Sequence, residues 1–200
     1  MTKLQPAERF NPHDPSFAYQ TAVHHMKRYE FAAAFDASSY LDICCGYGYG
    51  LAILGSKHPD AYLCGIDQDL NVIKQAQADY PKYTYWCQDL RCFSSDQKYD
   101  VVTFMEAIEH LTFHDGLRVL KNLNNHVLAP HGILILSTPK DTNDKYNIYH
   151  KSIWTYAILK NELGSLFPDV KIYGQDWDTG EISDEDVMNN DFYICVCRKD

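Results

Sequence analysis

YLDICCGYGYG, residues 40–50, places a glycine-rich turn directly after a short apolar run. A turn of this kind between a strand and a helix brings backbone N–H groups close to a ligand, where side chains would collide. The dinucleotide fingerprint G-x-G-x-x-G needs a glycine at position 51, which is Leu51 in this chain. Asp42, near the end of the apolar run, is not part of that fingerprint either. The stretch therefore predicts a nucleotide-type pocket and disfavours a dinucleotide cofactor.

Short apolar runs alternate with helical stretches along the rest of the chain. The predicted strands cover residues 38–45, 61–67, 83–89, 99–108, 132–138, 169–175 and 191–199. With helices between most of them, this alternation predicts an α/β fold with a doubly wound, Rossmann-like, seven-stranded sheet that is mostly parallel. The last two strands leave no room for a helix, so one antiparallel strand is expected near the C-terminal edge. We expect a single domain over residues 1–200, with a covering helix at about 16–35.

Composition and charge narrow the classes of partner. Apolar residues make up 46% and charged residues 22%, as in ordinary globular proteins. The net charge of −9 and the lack of a basic run disfavour a nucleic-acid partner. No apolar stretch approaches a membrane span, and the start MTKLQPAERF lacks the apolar segment of a secretory signal. We therefore expect a cytoplasmic protein without membrane contact. The sequence leaves the oligomeric state open between a monomer and a homodimer.

The seven cysteines do not form a recognisable redox or zinc motif. Their number is odd and no Cys-x-x-Cys occurs. The vicinal pair Cys44 and Cys45 would form only a strained ring on oxidation. We expect reduced thiols that act as small apolar residues.

Carboxylates end three successive predicted strands, at Asp42, Asp67 and Asp89. In open parallel sheets, ligands bind outside the carboxyl ends of the strands, and an acid after the second strand is placed to accept both hydroxyls of a ribose. Asp89 is placed for an adenine amino group, with the Leu90 N–H nearby for a ring nitrogen. The set predicts a pocket for an adenosine whose remaining part is not a pyrophosphate.

These motifs resemble those of the class I S-adenosylmethionine (SAM)-dependent methyltransferases. LDICCGYGYG resembles their first motif, GID the acidic second-strand motif and CQDL the adenine-contacting segment. YDVVTFMEAIEHL and LAPHGILILSTPK are similar to the fourth- and fifth-strand signatures, and the resemblance covers nearly the whole chain. It implies transfer of a methyl group from the sulfonium of SAM to a nucleophile.

The resemblance, together with the strand-end acids, predicts a set of SAM-binding residues. Asp42 and the glycine turn are expected at the methionine end, Asp67 at the ribose, and Asp89 with Leu90 at the adenine. The full predicted set is Arg28, Asp42, Cys44, Gly46, Tyr47, Gly48, Gly50, Asp67, Gln68, Asp89, Leu90 and Glu106. Cys44 departs from the family, which usually has glycine or alanine there, so the methionine part is expected to shift slightly.

A second polar group follows the fourth predicted strand. Glu106, Glu109 and His110 lie where the chain turns past the strand, and Glu106 and His110 share one face if a helical turn follows. His150 comes after the fifth strand, on the same side of the sheet. These four residues form a donor set for Mg²⁺ or Mn²⁺, which would lower the pKa of a substrate hydroxyl.

The same residues fit two other interpretations. Without a metal, His110 or His150 takes the acceptor's proton as a general base, with Glu109 in the catalytic set. Alternatively, Glu109 and His110 merely open a helix and His150 is structural. The sequence leaves all three interpretations open.

Several branches of the family share these motifs. E-x-x-E-H with a later H-x-x-x-[WF]-T resembles metal-using ubiquinone-pathway and small-RNA 3′-end methyltransferases. ERF at 8–10, HMKRY at 25–29 and NIYH at 147–150 are similar to bacterial enzymes associated with sugar and polysaccharide modification. The acidic charge disfavours RNA, and no apolar insertion suits a quinone, so we expect a small polar acceptor such as a sugar or nucleotide-sugar. Oxygen is favoured over nitrogen as the methylated atom, and a non-catalytic SAM-binding partner subunit is the alternative from another class.

Overall fold

The computed structural model describes residues 10–12, 19–140 and 149–200, with the backbone alone for 19 and 20. Its helices α1 to α5 are Tyr19–Ala32, Tyr49–Lys57, Leu70–Asp79, Phe113–Asn122 and Tyr156–Leu166. Its strands β1 to β8 are Ser39–Ile43, Tyr62–Asp67, Thr84–Cys87, Tyr99–Met105, Leu128–Pro139, Asp169–Gln175, Ile182–Ser183 and Phe192–Arg198. Short 3₁₀ helices cover Leu90–Cys92, Ile108–His110 and Val187–Asn189. None of the described helices is long and apolar enough to cross a membrane.

The strands form one sheet in the order β3-β2-β1-β4-β5-β8-β6-β7. The pairs from β3 to β5 are parallel, whereas β8 lies antiparallel between β5 and β6. This confirms the predicted doubly wound α/β sheet and its antiparallel strand near the C-terminal edge. The sheet has one strand more than the predicted seven, because Ile182–Ser183 pairs with the end of β6. Two residues are too short a run to show a strand period in the sequence.

The two faces of the sheet are covered by different helices, as the alternation of strand side chains dictates. Tyr40 of β1 packs in a cluster with Leu51 of α2 and with residues of α1 and α3. Its neighbour Leu41 packs in a second cluster with Leu120 of α4 and Leu159 of α5. Both clusters are almost fully buried, so the sheet forms the middle of three layers.

Helix α1 corresponds to the predicted covering helix, over a shorter range. It spans Tyr19–Ala32 in place of the predicted 16–35, and residues 16–18 lie outside the described part. The backbone oxygen of His24 accepts a hydrogen bond from the Gln175 side chain at the end of β6 (3.2 Å). This contact fixes α1 against the carboxyl ends of the strands, where the candidate site lies.

Candidate functional site

A cavity of about 660 Å³ lies outside the carboxyl ends of β1, β2 and β4. The strand order reverses there, because β2 and β4 flank β1 on opposite sides. The lining segments are 44–46, 66–68, 88–91, 105–107, 109–112 and 149–151, with Phe10, His25, Tyr29, Tyr49 and Asp115. The size is in the ordinary range for small-molecule sites.

The glycine turn forms the floor of this cavity between β1 and α2. Gly46 and Gly48 have left-handed backbone angles (φ 54° and 77°), which glycine adopts without strain. Gly50 lies against the Tyr29 ring, where a Cβ would come within 2.3 Å of the ring. Cys44 is also left-handed, with φ 60°, although it carries a side chain. Of these residues, Gly46 and Cys44 line the cavity, whereas Gly48 and Gly50 shape the turn behind it.

Asp67 at the end of β2 lines the cavity and is held by backbone donors. Its carboxylate accepts hydrogen bonds from the N–H groups of Gly46 (3.1 Å) and Asp69 (3.0 Å). Only 4% of the residue is exposed. Gln68, the next residue, lines the same part of the cavity. The strand end and the glycine turn therefore fix the carboxylate that the sequence predicts for a ribose.

Asp89 and Leu90 line the cavity beside the end of β3. Asp89 caps the short helix Leu90–Cys92 by accepting the Arg91 N–H (2.9 Å). The Arg91 guanidinium also donates to both Asp89 oxygens, at 3.0 Å from Nε and 2.5 Å from Nη2. This Arg91 hydrogen bond holds the pKa of the Asp89 carboxyl below its ordinary value.

Asp42 lies beneath the turn, outside the lining of the cavity. It is fully buried, and it accepts hydrogen bonds from Thr103 Oγ1 (2.6 Å) and from the Tyr29 hydroxyl, 3.1 Å from each oxygen. Burial, reinforced by the charge of Asp67, raises the pKa of Asp42 to about 7, although both hydrogen bonds oppose the rise. Asp42 therefore connects β1, β4 and α1 from behind the site.

Arg28 and Glu106 meet next to the end of β4, but Arg28 is not among the residues that line the cavity. Arg28 is 1% exposed, and its Nε donates to Gln175 Oε1 at 2.7 Å. Its Nη1 lies 3.7 Å from Glu106 Oε1, while its buried Nη2 has no hydrogen-bond partner within the described residues. Glu106 lines the cavity and accepts a hydrogen bond from Ser137 Oγ (2.8 Å). Tyr47 lies elsewhere, in a separate depression beside α3.

Glu109, His110 and His150 come together at the other end of the cavity. One potential ligand atom from each lies within 4.8 Å of those of the other two, and the imidazole rings are 5.1 Å apart. Glu109 is 2% exposed and accepts a hydrogen bond from Thr138 Oγ1 at 3.2 Å. Burial, together with the nearby charge of Glu106, raises the pKa of the Glu109 carboxyl well above its ordinary value.

Glu106 does not join this group, in contrast to the predicted four-residue metal set. The prediction assumed an α-helical turn that would bring Glu106 and His110 onto one face. Instead, Glu106 has a left-handed φ of 46°, and a 3₁₀ helix starts only at Ile108. Hydrogen bonding to Ser137 holds the Glu106 side chain near Arg28. The grouped donor set therefore has one carboxylate and two imidazoles.

The residues that the sequence interpretation missed mostly support the predicted ones. Thr103 holds Asp42, Ser137 holds Glu106, and Thr138 contacts Glu109. Ser137 and Thr138 stand together at the end of the buried run GILILST, where a polar pair is a usable signal. Gln175 gave no such signal, because its partners in α1 are distant in sequence. Arg91 gave none, because its contact with Asp89 is set by a local turn.

The fold and the cavity at the strand ends define the class I methyltransferase type of α/β protein. The sequence model of a family described as a methyltransferase domain matches residues 18–180. The chain therefore belongs to this methyltransferase domain family, which confirms the resemblance found in its motifs.

Known proteins with similar sequence or structure agree with this class. Trans-aconitate 2-methyltransferase of Azoarcus sp. (strain BH72) is 27% identical over 109 residues, covering 54% of this chain and 42% of that protein. The plantazolicin methyltransferase BpumL, solved in complex with SAH (S-adenosylhomocysteine), superposes with a TM-score of 0.65 at 19% identity, over 91% of this chain and 84% of its own. The methyltransferase domain of bacterial CtHen1 has a TM-score of 0.69 at 18% identity, over 88% and 99%. The chain spans about half the length of the curated relatives it matches.

Proposed function

We propose that the protein is a SAM-dependent methyltransferase that methylates an oxygen of a small polar acceptor, with a sugar or nucleotide-sugar as the leading class. The observation that supports this most is one cavity with strand-end carboxylates at one end and the group Glu109, His110 and His150 at the other. The first set suits an adenosine, and the second suits deprotonation of a hydroxyl. The single domain and the cytoplasmic location predicted from the sequence are part of the same proposal.

In this proposal, SAM lies along the ends of β1 to β3. Asp67 would accept the ribose hydroxyls, and Asp89 with the Leu90 N–H would bind the adenine edge. Glu106, which lines the cavity, matches the ammonium group of the methionine end, and the neighbouring Arg28, which is outside the lining, would bind the carboxylate. The buried Nη2 of Arg28, which lacks a hydrogen-bond partner among the described residues, supports a negative partner there, because an unsatisfied buried donor is costly. Asp42 would act indirectly, by holding Tyr29 under the turn.

The reaction would be an in-line displacement at the methyl carbon. The acceptor oxygen forms the new O–C bond while the C–S bond of the sulfonium breaks, and its electron pair stays on sulfur. His110 or His150 takes the proton of the hydroxyl, and both line the cavity within reach of one ligand. Alignment of the oxygen with the C–S bond would supply much of the rate.

A divalent metal fits the group Glu109, His110 and His150. The sequence predicted Mg²⁺ or Mn²⁺ without choosing between them, whereas the observed donor set favours one of the two. One carboxylate and two imidazoles suit a transition metal better than Mg²⁺, which prefers oxygen ligands, and Mn²⁺ is the transition metal of the predicted pair. Cis ligands of such an ion are roughly 3 Å apart, so donors within 4.8 Å need a modest closing movement. A bound metal would lower the pKa of the acceptor hydroxyl. Glu109, His110 and His150 would hold it.

The charges around the cavity as a whole disfavour a polycarboxylate. The charged residues of its lining are mostly acids, Asp67, Asp89, Glu106, Glu109 and Asp115, against the two cations Arg91 and Lys151. A tricarboxylate such as trans-aconitate, the acceptor named for one relative, would meet this excess of acids. We therefore favour an uncharged hydroxyl for the methylated part of the acceptor.

The decisive experiment uses methyl-labelled SAM with fractionated cell extract, followed by identification of the labelled product. We expect an ether on a small polar compound and no label on trans-aconitate added as a test acceptor. SAH binding without any labelled product would favour the non-catalytic partner subunit. Labelling of trans-aconitate would overturn the assigned acceptor class.

Metal dependence is tested separately by Mn²⁺ binding, followed by electron paramagnetic resonance. We expect His150→Ala to weaken binding at least tenfold, because it removes one of three ligands. His114→Ala is the matched control, since His114 is exposed on α4 and does not line the cavity. If His150→Ala binds Mn²⁺ as the wild type does, the metal interpretation is wrong, and the general-base and structural interpretations remain.

A further inference from the structure

The guanidinium of Arg91 is hydrogen-bonded to the Asp89 carboxylate, which is the group that the adenine amino group is expected to contact. Asp89 has two oxygens with about four acceptor positions. The Arg91 backbone N–H takes one of them, and the Arg91 side chain donates to both oxygens from Nε and Nη2. Both residues line the cavity, so this contact lies where the base would enter. An incoming amino group would therefore compete with the arginine for the same lone pairs.

Arg91 is able to leave this position at small cost. Its side chain is 47% exposed, and exposed ion pairs contribute little to the stability of a fold. The cavity also offers a second carboxylate, Asp115 in the first turn of α4, whose charge already acts on Arg91. Asp115 is bound by Thr112 and Arg118, which keep it at the cavity wall. A guanidinium displaced from Asp89 would therefore still have a negative partner within the site.

We propose that Arg91 is a specificity-determining residue of the nucleoside site: it pairs with Asp89 when the site is empty and moves towards Asp115 when an adenine binds. The inference rests on the proposed SAM site. Its consequence is that part of the adenine binding energy is used to displace Arg91. The protein then binds SAM less tightly, and discriminates less between purines, than the remaining pocket would allow.

A hypoxanthine base gives the competition a distinct signature. Hypoxanthine carries a carbonyl oxygen where adenine carries its amino group, so it donates nothing there to Asp89. It would accept a hydrogen bond from Arg91 in its present position, since guanidinium groups only donate. Removal of Arg91 should therefore strengthen the binding of SAH. It should not strengthen the binding of S-inosylhomocysteine, the analogue that carries hypoxanthine in place of adenine.

The test measures both ligands by calorimetry on the wild type, Arg91→Ala and Arg91→Gln, at ionic strengths of about 10 mM and about 1 M. We expect both variants to bind SAH about three to five times more tightly than the wild type at low salt, the upper range for releasing an exposed pair. The gain should shrink towards zero at high salt, where the pair is screened. Arg198→Ala is the matched control, because Arg198 is equally exposed, pairs with Asp169 and does not line the cavity.

The outcomes separate this inference from the function on which it rests. Equal or weaker SAH binding by both Arg91 variants overturns the inference, as does an equal gain for S-inosylhomocysteine. Weaker binding would mean that Arg91 contacts the base directly. If none of the four proteins binds SAH, the proposed function and this inference fail together.

Discussion

The two ends of the cavity hold their carboxylates in different ways. We call the end with Asp67 and Asp89 the nucleoside end, and the end with Glu109, His110 and His150 the acceptor end, after the ligands proposed for them. At the nucleoside end, Asp67 accepts two backbone N–H groups and Asp89 accepts one. At the acceptor end, Glu109 is almost completely buried, and its side chain accepts a hydrogen bond from one threonine hydroxyl at 3.2 Å. The pKa of Glu109 is raised, mainly by burial, whereas that of Asp89 is lowered by Arg91.

This difference indicates how each end balances the charge of its carboxylates. Backbone donors hold Asp67 and Asp89 in place before any cofactor arrives. The buried acid at the acceptor end needs a proton or a cation to balance its charge. The proposed proton transfer or metal binding is therefore assigned to that end, and the proposed cofactor recognition to the other.

The largest expected effect comes from substituting one carboxylate at each end of the cavity in turn. Asp67→Ala should weaken SAH binding about 100-fold, because the ribose hydroxyls lose a charged acceptor, and should leave Mn²⁺ affinity unchanged. Glu109→Gln should do the reverse, with SAH affinity within about twofold of the wild type. Calorimetry with each ligand measures both effects. A loss of both affinities in either variant would show that the two ends act as one unit.

The pH dependence of stability tests Asp42, which lies behind both ends. Its folded pKa of about 7 is above the ordinary value of 3.8, so the folded state binds more protons between these values. Its contribution to stability is complete below pH 4 and is lost as pH rises towards 7. Between pH 5 and pH 7, the free energy of unfolding of the wild type should therefore fall by about 2 kcal/mol more than that of Asp42→Asn. Urea unfolding at both values measures this, and parallel pH curves would contradict the raised pKa.

Two glycines in helices differ in the space around them: a Cβ has no room at Gly50 and open space at Gly164. Gly50 abuts the Tyr29 ring, so Gly50→Ala should destabilise the fold by about 1–2 kcal/mol and disturb the Tyr29–Asp42 contact. A Cβ added at Gly164 in α5 would meet open space, and Gly164→Ala should stabilise by about 0.5–1 kcal/mol. Thermal unfolding gives both signs. Equal effects would show that α1 is not packed on the turn.

The smallest effect is expected at Cys44, the residue that departs from the family pattern. Its left-handed backbone costs roughly 1 kcal/mol for a residue with a side chain. Cys44→Gly removes that strain but gains freedom in the unfolded chain, so stability should change by less than about 1 kcal/mol. SAH affinity should rise slightly, since the thiol borders the cavity. A weaker affinity would mean that the thiol contacts the cofactor.

The residues proposed for the nucleoside end could be chosen from the sequence because their motifs are local. A strand, a glycine turn and an acid at the next strand end are contiguous patterns, and parallel strands must bring their carboxyl ends to one edge. The predicted sheet and its antiparallel strand followed from the same periodic signals. Which side chains line the cavity did not follow from these signals: Tyr47 is next to Gly46 yet faces a different depression, and Asp42 lies outside the lining.

By itself, the sequence determined the class of fold, the family and the strand-end carboxylates, because alternation and turn chemistry act over a few residues. Only the tertiary structure decided that Asp42 is sealed behind the turn, that Glu106 pairs with Arg28, and that Glu109 joins two histidines instead. These outcomes depend on backbone angles at single residues and on partners from distant strands. A left-handed residue at 106 redirects a side chain without leaving any trace in the spacing of the motif.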